Sequence, residues 1–336
     1  MVGLDIGSRT IKIVELAKEG NVWRLRASGV IGFQGVAPEK ATDASELTAL
    51  ATVIKKLHKE AGVSSKEVAI ALPESQVFTR TVKFPPLTDQ EIASAVKWEA
   101  EQYIPIPIAE AIVQHQVIER RDTTAPPEVV VLLVAAPKSL VEPYTRVVQL
   151  AGLSVVGVET ELIALSRSLA PQGQTVLLVD FGARSTDIAI VKSGQLSFTR
   201  TIPTAGEAFT RAVAQSLGVE LSQAEEYKRA YGLSGSQLEG KIKGALDPVF
   251  RIVVEEMKKA IHFYQSEEKG EAPKSLILSG GTAGLPEALS LLTKMMGIEV
   301  LIGNPFAKIS VDPEAAKSLA SFAPLYAIAV GLAMRE

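Results

Sequence analysis

The chain has 336 residues, 47% hydrophobic and 22% charged, with a formal net charge of −3 and no cysteine. That length predicts roughly two domains, and the composition is that of a folded globular chain, not a disordered one. The charge balance offers no basic field for nucleic acid or acidic lipid, and the lack of cysteine removes disulfides and thiolate catalysis while leaving the compartment open.

VGLDI (2–6) reads as a strand, Gly7 as a turn and IKIVEL (11–16) as a second strand, with WRLRASGVIGF (23–33) continuing in period-two polarity. A strand at the very start predicts that no signal peptide precedes it. In 46–62, Leu47, Leu50, Ile54, Leu57 and Ala61 recur at three- and four-residue steps, an amphipathic helix ending at Gly62. EVAIALP (67–73) and VFTRTVKFP (77–85) read as strands, the second stopped by Pro85-Pro86.

From Leu87 the texture changes. Thr88 followed by Glu91 is a capping box opening a helix. Two strands, including the apolar run VVVLLVAA (129–136), and another helix follow, a small α+β unit inserted into the first half. That run has strand length and falls well short of the roughly 20 apolar residues of a membrane span. TELIALSRSLA (160–170) closes the first half, and Pro171-Gln172-Gly173 marks the junction.

The second half restarts with strand, glycine and strand over 175–191, then QLSFTRTIP (195–203) and a mostly helical stretch. There Val249, Ile252, Val253, Met257, Ile261 and Tyr264 are expected on one face. SLILSGGTAGLPEALSLLTKMMG (275–297) reads as buried strand, glycine-rich turn and helix, and PLYAIAVGLAMRE (324–336) as a packing helix. The expected subdivision is 1–86 with 156–172, the insertion 87–155, 173–205 with 271–336, and the helical 206–270.

VGLDIGSRTIKIVEL (2–16) and VLLVDFGARSTDIAIV (176–191) are near-copies. Asp5 falls on Asp180, Gly7 on Gly182, Arg9 on Arg184 and Thr10 on Ser185, at an offset of 180 − 5 = 175. A tight glycine turn lets the main chain approach a ligand, its N–H groups make an anion-binding concavity, and Ser, Thr and Arg add donors. One such hairpin alone is ordinary. Two in matching places suggest a clasp on a polyphosphate, with the aspartates facing it through a hydrated Mg²⁺. Gly280, Gly281 and Gly284 after a buried strand suit a base and ribose lying on exposed backbone. Glu225 and Lys228 share a helical face and taken alone are a surface pair. His58, His115 and His262 are isolated, and nothing resembles a metal-ligand cluster or a hydrolase triad.

In order, these pieces resemble the actin, heat-shock-protein and sugar-kinase ATPase superfamily. The insertion is similar to that of FtsA. AVKWEAEQYIPIPIAEAI (95–112), AEEYKRAYG (224–232) and LILSGGTAGLPEALSLLTKMMGIEVLIGNPF (276–306) resemble the type IV pilus assembly protein PilM family. The resemblance implies an α/β, ribonuclease-H-like duplicated ATPase fold of two lobes around a nucleotide cleft. It implies ATP or ADP with Mg²⁺ organised by Asp5 and Asp180, and phosphate turns at Gly7, Ser8, Arg9, Thr10 and Lys12 and at Gly182, Ala183, Arg184, Ser185 and Thr186. It implies an adenosine turn at Gly280, Gly281, Thr282 and Gly284, ribose and base contacts at Glu225 and Lys228, and a water-orienting acid at Glu159. It further implies a cytoplasmic scaffold recruited to the inner membrane by the N-terminal peptide of PilN, alongside other pilus assembly proteins and self-association, without direct membrane insertion. Trp98, Tyr103, Ile104 and Ile106 either line that peptide's groove or pack the core. No pocket dedicated to a second substrate is evident, so at most slow ATPase activity is expected. A small-molecule kinase and an FtsA- or MreB-like filament former are the alternatives.

Overall fold

The computed structural model describes residues 1–122 and 126–336. The first half opens with β1 (Val2–Ile6), β2 (Thr10–Glu19), β3 (Val22–Gly32), α1 (Ala44–Glu60) and β4 (Glu67–Leu72). β5 (Phe78–Phe84), α2 (Asp89–Tyr103), β6 (Ala111–Arg121), β7 (Glu128–Pro137), α3 (Lys138–Leu150), β8 (Ser154–Thr160) and α4 (Glu161–Leu169) follow. The second half holds β9 (Thr175–Phe181), β10 (Thr186–Lys192), β11 (Gln195–Ile202), α5 (Gly206–Leu217), α6 (Leu221–Tyr231) and α7 (Lys241–Ser266). It ends with β12 (Ser275–Ser279), α8 (Ala288–Met296), β13 (Glu299–Ile302), β14 (Ile309–Ser310), α9 (Pro313–Leu319) and α10 (Ala327–Ala333).

The duplication is visible in the sheets. One sheet has the order β14-β3-β2-β1-β4-β8 and another β11-β10-β9-β12-β13. In each, an antiparallel meander (β1–β3, β9–β11) is extended on its first strand by parallel strands. The short hairpins keep meander strands adjacent, whereas parallel neighbours need a crossover through a helix. Each sheet has its own core, with Ile11, Ile54, Ile70 and Val147 in the first and Phe181, Phe209, Phe250 and Met257 in the second. Between the sheets lies a shared core in which α4 and α10 pack Leu162, Leu165, Ile328 and Leu332 against Ala69, Val176 and Ala189.

The capping box forms as expected, Thr88 and Glu91 each accepting the other's backbone N–H. Three expectations need correction. β5 pairs along its whole length with β7 in the three-stranded sheet β5-β7-β6, so the small unit begins before residue 87. α3 packs Leu140, Tyr144 and Val147 into the first sheet's core, so it belongs with that lobe and not with the insertion. The C-terminal segment does not stay with the second sheet: β14 pairs with β3, and α10 lies against α4 and β1. Glycine makes that return fit, because a Cβ on Gly3 would stand 2.0 Å from the Ala329 carbonyl oxygen. On α7 the buried face runs through Phe250, Val253, Val254, Met257 and Tyr264, and Ile252 is turned to solvent.

Among the described residues no single helix is long and apolar enough to cross a membrane.

Candidate functional site

The two hairpins have the same hydrogen-bonded turn. Gly7 donates its N–H to the Thr10 carbonyl and Gly182 donates to that of Ser185, each at 3.1 Å. A Cβ on either glycine would lie 2.9 Å from that carbonyl oxygen, closer than side chains tolerate, so both turns need glycine. Ser8, Thr10, Ala183 and Ser185 are partly exposed along the turns and Arg9 and Arg184 exposed. Thr186 is not available to a ligand: it is fully buried and donates its hydroxyl to the Thr204 carbonyl.

The hairpins differ in what faces the paired aspartate across the strands. Asp5 lies opposite Lys12 in β1–β2, but Asp180 lies opposite Asp187 in β9–β10, the same offset of 187 − 12 = 175. Lys12 Nζ donates to Asp5 Oδ2 at 2.9 Å, and both side chains are buried. Burial pulls the ammonium down, but Asp5, with Asp180 and Glu161 beyond it, outweighs that and holds Lys12 above its ordinary value. Burial beside Asp187 lifts Asp180 to about 6, although Ser279 Oγ donates to its Oδ1 at 3.0 Å. Burial likewise raises Asp187, despite hydroxyl donors from Ser185 at 2.7 Å and Thr201 at 2.5 Å.

The acid that joins this group is Glu161, the first residue of α4. Burial and the charges of Asp187, Asp5 and Asp180 push it well above the usual carboxylate range. Glu159 is placed otherwise: both its oxygens accept from Arg167, at 2.6 and 2.8 Å, and Arg167 also holds the Gly331 carbonyl. Glu159 is therefore taken up by Arg167, and the acid that stands near the paired aspartates is Glu161. The run VETELIAL offers both acids, and only the helix start decides which faces the cleft.

Glu74, in the connection from β4 to β5, is a further acid that sequence reading passed over. It is 5% exposed, neither carboxylate oxygen makes a hydrogen bond, and burial with Asp187 nearby pushes it up to about 7. A group raised from 4.5 in the unfolded chain to about 7 keeps its proton on folding between those values. Its contribution to stability is therefore complete below pH 4.5 and lost as pH rises to 7, about 3 kcal/mol in all. Glu74→Gln is expected to remove that decline, leaving the variant more stable than the parent at pH 8 but not at pH 4.5. Urea unfolding at the two pH values checks this, and equal pH slopes in both proteins would refute it.

On the far side of the second hairpin, Lys228 Nζ donates to Glu225 Oε2 (2.6 Å), Thr210 Oγ1 (3.0 Å) and the Gly206 carbonyl (3.1 Å). Arg229 donates to the other Glu225 oxygen at 2.7 Å. Although burial works against it, these donors hold Glu225 down at about 2, and burial lowers Lys228. The pair is thus an organised network and not a solvated one. Gly280 has φ +89°, and a Cβ there would fall 2.6 Å from the Phe181 carbonyl oxygen. Thr282 donates its N–H to that carbonyl and its hydroxyl to Gly182 O, both at 2.9 Å, so this turn is fastened to the second hairpin. Gly281 and Gly284 are exposed.

The lobes meet at Glu207 of α5. Its backbone N–H donates to Ala183 O at 2.8 Å, and its carboxylate accepts from Arg9 Nε of the first hairpin at 2.8 Å, with Arg184 Nε 3.7 Å away. Arg9 and Arg184, equivalent residues of the two turns, therefore converge on one carboxylate. The four residues considered for a partner divide: Trp98 is 66% exposed and Tyr103 exposed beneath Arg80 at 4.0 Å, whereas Ile104 is buried and Ile106 packs on the small unit's core. Exposed Trp98 and Tyr103 offer contact area, and Ile104 and Ile106 are structural. His58, as expected of a satisfied residue, pairs with the Ser65 carbonyl at 2.8 Å.

The sequence model of type IV pilus assembly protein PilM matches residues 3–336. A solved PilM–PilN type IV pilus biogenesis complex is 29% identical and superposes with a TM-score of 0.86, over 99% of this chain and 97% of that one. Cell division protein FtsA of Enterococcus hirae is 22% identical over 344 residues, 90% of this chain and 78% of FtsA. MreB5 of Spiroplasma citri bound to ADP is 14% identical with a TM-score of 0.54, over 98% of this chain and 94% of that one. The two sheets, their shared core and the cleft between them are thus the actin-like, duplicated ATPase fold with a small inserted unit. With the family matched across nearly its whole length, the chain belongs to the type IV pilus assembly protein PilM family.

Proposed function

We propose that this protein is an ATP-binding scaffold of the type IV pilus assembly subcomplex at the inner membrane, recruited by the N-terminal peptide of PilN. Nucleotide acts on it as a conformational ligand that stabilises one closure of the lobes. The observation that carries the reading is the convergence of two matching glycine turns across one cleft, with Arg9 and Arg184 on the same carboxylate.

The turn amides with Ser8, Thr10, Arg9, Arg184 and Ser185 would hold the phosphates, and the Gly280–Gly284 turn with Glu225 and Lys228 the nucleoside. Asp5, Asp180 and Glu161 act on one buried cation, Lys12, and Asp187 adds its charge to Asp180, Glu161 and Glu74, so the site has negative charge to spare for Mg²⁺. Among the described residues no three carboxylates or imidazoles are grouped to ligate an ion directly, which fits an ion held through its own waters. When bound, that ion would be held beside Asp5 and Asp180 and would neutralise phosphate charge.

Calorimetric titration with Mg²⁺–ATP tests the cleft: binding is expected, with affinity at least tenfold lower in Asp180→Asn. Titration with the PilN N-terminal peptide, followed by tryptophan fluorescence, tests recruitment. A saturable change that Trp98→Phe abolishes is expected, since Trp98 is exposed on the small unit and Trp23 lies far from it in sequence. Absence of ATP binding or of peptide binding would each overturn its half of the reading.

A further inference from the structure

Three arginines share one carboxylate at the mouth of the cleft. Glu207 Oε1 accepts from Arg9 at 2.8 Å and lies 3.7 Å from Arg184, and Oε2 is 3.9 Å from Arg211. Arg9 and Arg184 are the equivalent residues of the two hairpins (184 − 9 = 175) and approach from opposite lobes. One carboxylate does not neutralise three guanidiniums, so positive charge remains for another anion. Carboxylate and phosphate oxygens suit the same guanidinium fork, which makes them competitors for it. The Arg9 and Arg184 side chains stay 58% and 38% exposed, so the contact is of the solvated kind that exchanges readily.

We infer that Glu207 is an internal stand-in for a terminal phosphate: its carboxylate competes with a bound polyphosphate for the Arg9–Arg184 pair and sets the affinity of the cleft. This rests on the nucleotide reading above. Entry of the polyphosphate moves the arginines from Glu207 to the ligand, exchanging a tie between the lobes for one made through the ligand. Glu207 is held in place by its own backbone bond to Ala183, so changing its side chain leaves the helix start intact.

The parent chain and Glu207→Gln are titrated calorimetrically with ATP, ADP and inorganic tripolyphosphate at fixed salt. ATP is expected to bind the variant about threefold to fivefold tighter, the range of an exposed ion pair, with a smaller gain for ADP. A matching gain for tripolyphosphate assigns the effect to the anion alone, and a gain for ATP only assigns it to the nucleotide; both support the stand-in role. Arg9→Gln in the variant background is expected to erase the gain. Equal or weaker ATP binding in Glu207→Gln, or a gain that survives Arg9→Gln, overturns this inference and leaves the nucleotide reading standing. Failure of all three anions to bind either protein overturns both.

Discussion

Gly331→Ala is expected to cost about 4 kcal/mol of stability or to abolish soluble protein, the largest effect of any single methyl group here. α10 lies between the sheets with its backbone against that of α4. A Cβ on Gly331 would stand 1.9 Å from the Ala164 carbonyl oxygen and 2.5 Å from its carbon. Neither helix can retreat. On its other side α10 is pressed against β1, where Gly3 leaves no room either, and Ala329, Val330, Leu332 and Ala333 are fully buried around it. Close-packed interiors transmit such an overlap rather than absorbing it. Gly244→Ala is the internal control. It lies exposed in α7 with nothing within 4 Å of the added methyl, so it should stabilise by roughly 0.5–1 kcal/mol. Denaturant unfolding of both variants reads the difference, and an unchanged midpoint for Gly331→Ala would mean the helices are not in backbone contact.

The same helix marks how far the sequence could be read. Its small residues announce packing, but local pattern does not say against which sheet, and the return to the first lobe depends on glycines 328 residues apart. The hairpins were legible because turn chemistry is local: Gly7 and Gly182 are required within four residues of the aspartates they follow. Glu207 was not, since α5 starts without a capping side chain at Ala205 and its partner Arg9 is 198 residues away. Asp187 could have been found. The offset that pairs Asp5 with Asp180 also pairs Lys12 with Asp187, and that reversal of charge is the asymmetry that directly faces the paired aspartates. Ile104 shows the opposite limit: an apolar, proline-punctuated run reads alike for a groove and a core, and only the inward turn at the end of α2 buries it.

That asymmetry makes Lys12 the residue on which the acids of the cleft depend. Lys12→Met is expected to destabilise the protein by about 3–5 kcal/mol, the cost of leaving one member of a buried ion pair without its partner. Among the described residues the ammonium is the only cation bonded to Asp5, and its pull extends to Asp180 and Glu161. The sign with pH follows. In the parent, a lysine raised above 10.5 stays charged from pH 5 to 8, and its contribution is lost only as pH climbs through the raised value. In the variant, Asp180, already raised to about 6, loses the pull of the ammonium and rises further, so the deficit should be smallest at pH 5 and grow toward pH 8. Asp5→Asn removes the stranded charge, and the double variant Asp5→Asn with Lys12→Met should therefore lose less than the two single changes added together, by 2 kcal/mol or more. Additive losses, or a deficit that is flat with pH, would mean that the acids of the second hairpin are balanced without Lys12. The cleft would then owe its polarity to Ser279, Ser185 and Thr201, whose hydroxyls are the remaining donors to Asp180 and Asp187.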